Sequence, residues 1–298
     1  MTRDPSTGGA AVAPLTLVTE DGFPIAGTRY KALGAATSVV LVAPATGVPQ
    51  RFYASFARRL AEAGHDVLTW DWRGVAESRH GVPTCDPRLS MSAWGQGDLV
   101  AAIDWADRRA GARPVMLVGH SFGGQAAGLA RNASRLDALV LVAAQHGWCG
   151  HWPWPRRAGL ELFWRIGVPA MVALWGRLPS SRIGLGEDLP AGVASEWARW
   201  CRRRDYLGDW SGHGRLEAPI LAWSFSGDPI APRRAVEALL AQYSAAPALE
   251  HRHVEESDLG HFGFFRHNAA PRLWDDTLTF LDRVSRAAAP APAAPGHA

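Results

Sequence analysis

Val115-Met116-Leu117-Val118-Gly119-His120-Ser121-Phe122-Gly123-Gly124, followed by the small residues Gln125 to Ala130, decides how this chain folds. The apolar run predicts a strand buried on both faces, and the small-residue stretch predicts a helix packed close behind it. Between them a serine stands at a sharp turn. Glycines two residues before and two after it remove the Cβ atoms that would crowd such a turn. Chance alone gives about 0.2 Gly-x-Ser-x-Gly matches in a chain with 31 glycines among 298 residues, so the flanking strand and helix carry the reading.

Working outward, the same strand–helix alternation continues on both sides. Asp21-Gly22 lies between Leu15 to Thr19 and Ile25 to Tyr30 and signals a hairpin. Ser38 to Ala43 and Val67 to Trp70 read as buried strands. Phe52 to Ala63, stopped by Gly64, and Trp94 to Ala110, stopped by Gly111, read as helices. Leu139 to Ala143 is a further strand. Beyond the interruption described next come a strand at Pro219 to Trp223, a helix near Pro232 to Tyr243, a last strand at Leu249 to Val254 and a last helix at Pro271 to Val284. This alternation predicts an α/β fold: a mostly parallel central sheet with helices on both faces.

The alternation stops between residues 145 and 215. That segment holds eight of the fourteen tryptophans: Trp148, Trp152, Trp154, Trp164, Trp175, Trp197, Trp200 and Trp210. From 146 to 215 it carries ten arginines against six acids, a balance of +4. We read it as an inserted, mostly helical cap, with residues 15–144 and 216–286 forming the core. Most of the tryptophans are expected to glue the cap to that core, and some to line a pocket. Residues 1–14 and the Ala/Pro-rich 287–298 read as disordered tails.

Composition narrows the function. The chain is 47% hydrophobic and 20% charged, which is ordinary for a large globular core. A net charge of +3 does not argue for nucleic acid. No apolar run approaches the ~18 residues of a membrane span, and Met1 to Pro14 lack the apolar centre of a signal peptide. Cys85, Cys149 and Cys201 show no paired spacing and are expected to be reduced thiols in a cytoplasmic protein. Oligomeric state is not written in the sequence.

With Gly119 to Gly124 at its centre, the chain resembles the α/β hydrolase superfamily over about residues 15 to 285. Pro44 to Gln50, Gly186-Glu187-Asp188-Leu189-Pro190, Glu196 to Cys201 and Gly260 to Arg266 resemble, more narrowly, a group of bacterial predicted α/β hydrolases of unsettled substrate. The resemblance implies a serine nucleophile, Ser121, with its acid and histidine following in that chain order. Ser224-Phe225-Ser226-Gly227-Asp228-Pro229 follows a late strand and offers Asp228. Leu259-Gly260-His261-Phe262 follows the last strand and offers His261. Asp258, Glu255 and Glu256 stand too near His261 in sequence to serve it. His120 is expected to pack at the turn rather than act as base. His251 and His253 share one strand face and lack a sensibly spaced third metal ligand, so surface histidines are the expectation. Asp71 and Arg73 are expected to brace loops.

One oxyanion donor is expected from the N–H of Phe122. The second is expected from Pro44-Ala45-Thr46-Gly47, as Thr46 or, one residue earlier, Ala45. Thr46 is favoured; Pro44-Ala45 stands where the superfamily usually has His-Gly. The chemistry implied is cleavage of a small-molecule ester or thioester through an acyl-enzyme, with no cofactor and no metal. An acyltransferase on the same residues is the nearest alternative. A peptidase anchoring a substrate amine on Glu187 and Asp188 comes next, and a non-catalytic binding protein last.

Overall fold

The structure, a computed structural model, describes residues 9–184, 186–208, 211–255, 258–266 and 271–288. Its strands run β1 (Val12–Val18), β2 (Pro24–Tyr30), β3 (Ser38–Ala43), β4 (His65–Trp70), β5 (Val115–His120) and β6 (Ala138–Val142). An excursion follows that carries the two-residue strands β7 (Arg177–Leu178) and β8 (Leu189–Pro190). The chain then returns as β9 (Ile220–Phe225) and β10 (Leu249–Val254). Eight strands form one sheet in the order β1-β2-β4-β3-β5-β6-β9-β10. Within this sheet the pairings of β2 with β1 and β4 are antiparallel and the others parallel; β7 and β8 pair antiparallel on their own.

Helices connect the parallel strands. α1 (Ala54–Glu62) joins β3 to β4 and buries Phe56, Ala57, Leu60 and Ala61, the one-face spacing of an amphipathic helix. α2 (Met91–Ala93) runs through a π turn at Trp94–Asp98 into α3 (Leu99–Ala110), which joins β4 to β5. α4 (Phe122–Gln125) follows β5. The excursion holds α5 (Arg156–Leu162), α6 (Val168–Trp175) and α7 (Ala191–Cys201). α8 (Arg233–Leu240) joins β9 to β10, and α9 (Pro271–Ala288) closes the described chain. β6 pairs directly with β9, Leu139 opposite Ile220, so the whole stretch from 143 to 219 leaves the sheet and returns to the adjacent position.

Register gathers the loops that matter. Ala43 lies opposite Gly119, Gly119 opposite Leu141, Val142 opposite Trp223, and Val254 opposite Phe225. The turns leaving β3, β5, β6, β9 and β10 therefore open along one carboxyl edge, where ligands sit in open α/β sheets. The turn after β4 is braced behind them. Asp71 accepts hydrogen bonds from the Gln50 N–H at 2.6 Å and from its side chain, while Arg73 donates to buried Asp98 at 2.7 Å and to Asp21 at 2.8 Å.

Three expectations are revised. β1 begins at Val12, inside the stretch read as a tail, because its backbone pairs Val12 with Tyr30 while the Val12 and Ala13 side chains stay exposed and leave no burial pattern. α9 reaches Ala288, two residues past the expected core. Residues 1–8, 289–298 and Trp210 lie outside the described residues. The small-residue stretch after Ser121 is not one helix. Four α residues give way to a 3-10 turn at Ala126–Leu129 and to extended backbone at Ala130. His213 packs at the break: its Nε2 is 3.0 Å from the Gln125 carbonyl oxygen, and a Cβ on Gly128 would stand 2.3 Å from its imidazole.

Candidate active site

Ser121 is the apex of the turn between β5 and α4. Its φ of 51° is a left-handed value that a non-glycine residue adopts at a cost of order 1–3 kcal/mol. The turn is held on both sides. Ser121 N–H donates to the Val142 carbonyl at 2.9 Å, and its own carbonyl accepts from Gly124 and Gln125. A Cβ on Gly119 would lie 2.5 Å from Gly124, and one on Gly123 would lie 2.2 Å from the Ala43 carbonyl oxygen. The two glycines of the motif thus let β5, α4 and β3 close on one another around the serine.

Asp228 and His261 meet. His261 Nδ1 and Asp228 Oδ2 are 2.8 Å apart, and both side chains are nearly buried. The other carboxylate oxygen of Asp228 accepts from the N–H groups of Ile230 at 2.8 Å and Ala231 at 3.0 Å. Burial alone would raise the Asp228 pKa. The His261 hydrogen bond and charge, with these two N–H groups, outweigh it and hold the carboxyl below its ordinary value. The carboxylate is thereby fixed as an anion facing Nδ1, which leaves Nε2 as the ring's free basic atom. Of the other acids near His261 in sequence, Glu255 turns instead toward His253 and Arg233, Asp258 is exposed, and Glu256 lies outside the described residues.

His120 does more than pack. Its Nε2 is 2.9 Å from the His261 carbonyl oxygen, so Nε2 carries the proton and Nδ1 accepts. The acceptor Nδ1 is 2.8 Å from the Tyr53 hydroxyl, which accepts in turn from the Ala45 N–H at 2.8 Å. One directed chain, Ala45 to Tyr53 to His120 to His261, ties the loop after β3 to the backbone of His261. Burial drives the His120 pKa down to about 3, in keeping with a neutral ring. Nothing in the spacing around Tyr53 advertises this role; the only sequence signal was a histidine beside the serine.

The same chain engages the loop after β3. The Ala45 N–H is already donated to Tyr53, so it is not available to a ligand. Trp72 Nε1 holds the Pro44 carbonyl at 2.9 Å, and Glu187 N–H holds that of Gly47 at 2.7 Å. Thr46 is half-buried between these anchors. Across from it, Phe122 is the first residue of α4, and its N–H has no acceptor within the helix. With α4 so short, these individual N–H groups rather than a long helix dipole are what the turn offers to negative charge.

Aromatic rings wall this region. Trp72 stacks on Trp94 at 5.6 Å, and Trp94 and Trp72 both meet Phe122 edge-on. Trp200 from α7 lies over Phe122 at 6.4 Å. A groove of about 370 Å³ adjoins the Thr46 loop and His261, lined by Val48, Pro49, Phe52 and Phe262 together with Arg51 and Arg266. Glu187 and Asp188 are both occupied. Glu187 pairs with Arg51 and Arg79 and accepts from the Ala76 N–H; Asp188 pairs with Arg177 and Ser181. His251 and His253 share the Ser224 hydroxyl at 2.7 Å each, and no group of three metal-ligating side chains occurs among the described residues. The three cysteines are free thiols.

Burial also depresses His146 and His213, each to about 4. With His120, three histidines stay neutral in the folded chain where the unfolded chain would protonate them below the ordinary value near 6.5. The folded values are the lower ones, so stability is full above about pH 6.5 and is lost as the pH falls toward them. Chemical denaturation at pH 7 and pH 5 is expected to show a clear fall in the unfolding midpoint. An unchanged midpoint would show that these rings are not buried neutral.

Comparison with known proteins follows this geometry. Residues 39–163 match the family model described as alpha/beta hydrolase fold. A soluble variant of monoglyceride lipase from Saccharomyces cerevisiae is 12% identical, with 94% of this chain and 97% of that one covered at a TM-score of 0.69. A thermostable carboxyl esterase from Bacillus coagulans is 13% identical, with 92% and 99% covered and a TM-score of 0.65. Est816, an N-acyl homoserine lactone degrading enzyme, is 17% identical, with 89% and 99% covered and a TM-score of 0.59. No curated protein matches by sequence. At these identities the likeness is one of fold.

Proposed function

We propose that this chain, an α/β-hydrolase-fold protein, is a serine hydrolase of carboxylic esters or thioesters. The observation that carries the reading is the 2.8 Å contact between His261 Nδ1 and Asp228 Oδ2, with His261 joined at 2.9 Å to His120, the residue before a serine held at positive φ. Ser121 Oγ attacks the acyl carbonyl carbon while His261 Nε2 takes its proton. Asp228 holds the imidazole in the required tautomer and offsets the charge that develops on it. The N–H groups of Phe122 and Thr46 receive the oxyanion. The tetrahedral species then expels the alcohol or thiol, which leaves with the proton from His261. Water attacks the acyl-enzyme with His261 again as base, and the carboxylic acid is released.

The substrate side is read from the walls. Val48, Phe52 and Phe262 line the groove next to His261 and offer apolar surface to an acyl group, and the three structural neighbours act, by their descriptions, on glyceride, carboxyl ester and acyl lactone substrates. A substrate amine finds no ready anchor, because the carboxylate oxygens of Glu187 are spent on two arginines and a backbone N–H. A fluorophosphonate probe tests the reading directly. One equivalent is expected on the wild-type protein and none on Ser121→Ala. Equal labelling of the two proteins, or none of either, would end it. A series of p-nitrophenyl esters of increasing chain length then measures the depth of the acyl site.

A further inference from the structure

We infer that the outer face of the helix at residues 156–175 docks this protein on an anionic phospholipid surface. The proposal goes beyond the hydrolase reading and does not rest on it. α5, the π turn at Phe163–Gly167 and α6 form one uninterrupted 20-residue helix whose most apolar 18-residue window has mean hydropathy 1.2. By length and composition it is the one helix among the described residues able to cross a membrane. The apolar stretch escapes notice in the sequence because Glu161 and Arg165 interrupt it; in the helix those two stand four apart and pair with each other at 2.9 Å.

The helix has two unlike faces. One packs inward: Val168 is fully buried, and Trp164 meets Trp197 of α7 at 4.9 Å. α7 in turn places Trp200 over Phe122, so the helix forms the outermost layer above the site. The other face is bare. Leu162 and Ile166 are each 61% exposed and Leu174 is 73% exposed, at positions 162, 166 and 174 that share one side of a 3.6-residue repeat. Single exposed leucines need no explanation, but an aligned row of this length does.

What covers that row follows from what surrounds it. Trp154, 78% exposed, and Trp175, 48% exposed, stand at the two ends, where amphipathic rings favour the boundary between water and acyl chains. Arg156 and Arg157 sit at the helix start, Arg157 over the Trp148 ring at 5.7 Å and within reach of the Glu161 charge, inside a segment whose charge balance is +4. A second protein copy would offer apolar surface but no reason for an excess of arginine beside it. An anionic headgroup layer answers both features. The inward face is held by α7, so the helix lies in the interface plane instead of spanning the bilayer. Such helices sink about 5–10 Å, with arginines left at headgroup level.

Co-sedimentation of the full chain with vesicles tests this. The protein is expected to pellet with vesicles of phosphatidylcholine and phosphatidylglycerol in equal parts, and far less with phosphatidylcholine alone or in high salt. Leu162→Glu/Ile166→Glu/Leu174→Glu is expected to stay in the supernatant while keeping the wild-type thermal midpoint. Should that variant misfold, Arg156→Gln/Arg157→Gln carries the test, with binding to the anionic vesicles lowered about 30-fold at roughly 1 kcal/mol per basic residue. Failure of the wild type to bind anionic vesicles would overturn the proposal. So would undiminished binding by the variants. Self-association in sedimentation velocity, abolished by the triple variant and without vesicle binding, would assign the face to a second copy instead.

Discussion

Ser121→Ala lowers kcat for an activated ester by about 10⁶-fold, with KM changed little. The size follows from what the oxygen alone does. On the proposed mechanism no acyl-enzyme forms without Oγ, and His261 and Asp228 lose the proton they would move, so one deletion silences all three groups together. What remains is the catalysis of an oxyanion site and a binding pocket, of order 10³–10⁴ above water in enzymes of this type. KM is insensitive because Oγ bonds to the carbonyl carbon only on the way to the transition state. The variant is expected to fold as the wild type does: alanine meets the same backbone demand at φ 51°, and the glycines at 119 and 123 are untouched. Steady-state kinetics with a p-nitrophenyl ester, beside a thermal melt, measures both quantities. A variant retaining a tenth of wild-type kcat would show that Ser121 is not the attacking group.

That such a test can be aimed at one atom reflects how local the elbow is. Gly119, Ser121 and Gly123 each answer a contact within a few residues or on the adjacent strand, so the pattern is legible without the rest of the fold. Asp228 and His261 are legible for a different reason: parallel strands leave their turns at one edge, and the order of strands is the order of residues. The loop after β3 is harder. Ala45 and Thr46 differ by one position, and only the Tyr53 hydroxyl, eight residues on, distinguishes them by engaging the Ala45 N–H. Side-chain hydrogen bonds of this kind follow no periodicity. The same holds for the short α4, whose last residue, Gln125, has its carbonyl met by His213 from 88 residues later. The helix at 156–175 was obscured by its own chemistry, since the pairing of Glu161 with Arg165 appears only once the helix exists.

Asp228→Asn lowers kcat by about 10⁴-fold while the site keeps its shape. The direction can be derived from the partners of the carboxylate. Oδ1 accepts from the N–H groups of Ile230 and Ala231, and an amide nitrogen in its place would confront two donors with a third. The asparagine must therefore keep its oxygen on that side and turn its NH₂ toward His261. Nδ1, 2.8 Å away, then becomes an acceptor and the ring proton moves to Nε2. An imidazole protonated at Nε2 cannot take the proton of Ser121, and no carboxylate remains to offset an imidazolium. Loss of the anion acts on stability as well. The folded pKa of Asp228 lies below its unfolded value, so the wild type carries a stabilising contribution at neutral pH that disappears as the pH falls through the acidic range. The variant lacks it at every pH, so the two proteins should differ in unfolding midpoint at pH 7 and converge on acidification. Kinetics and denaturation measured side by side separate the roles. A kcat within tenfold of wild type would leave His261 oriented by something other than Asp228, and a midpoint difference that persists at low pH would mean that the variant has lost packing rather than charge.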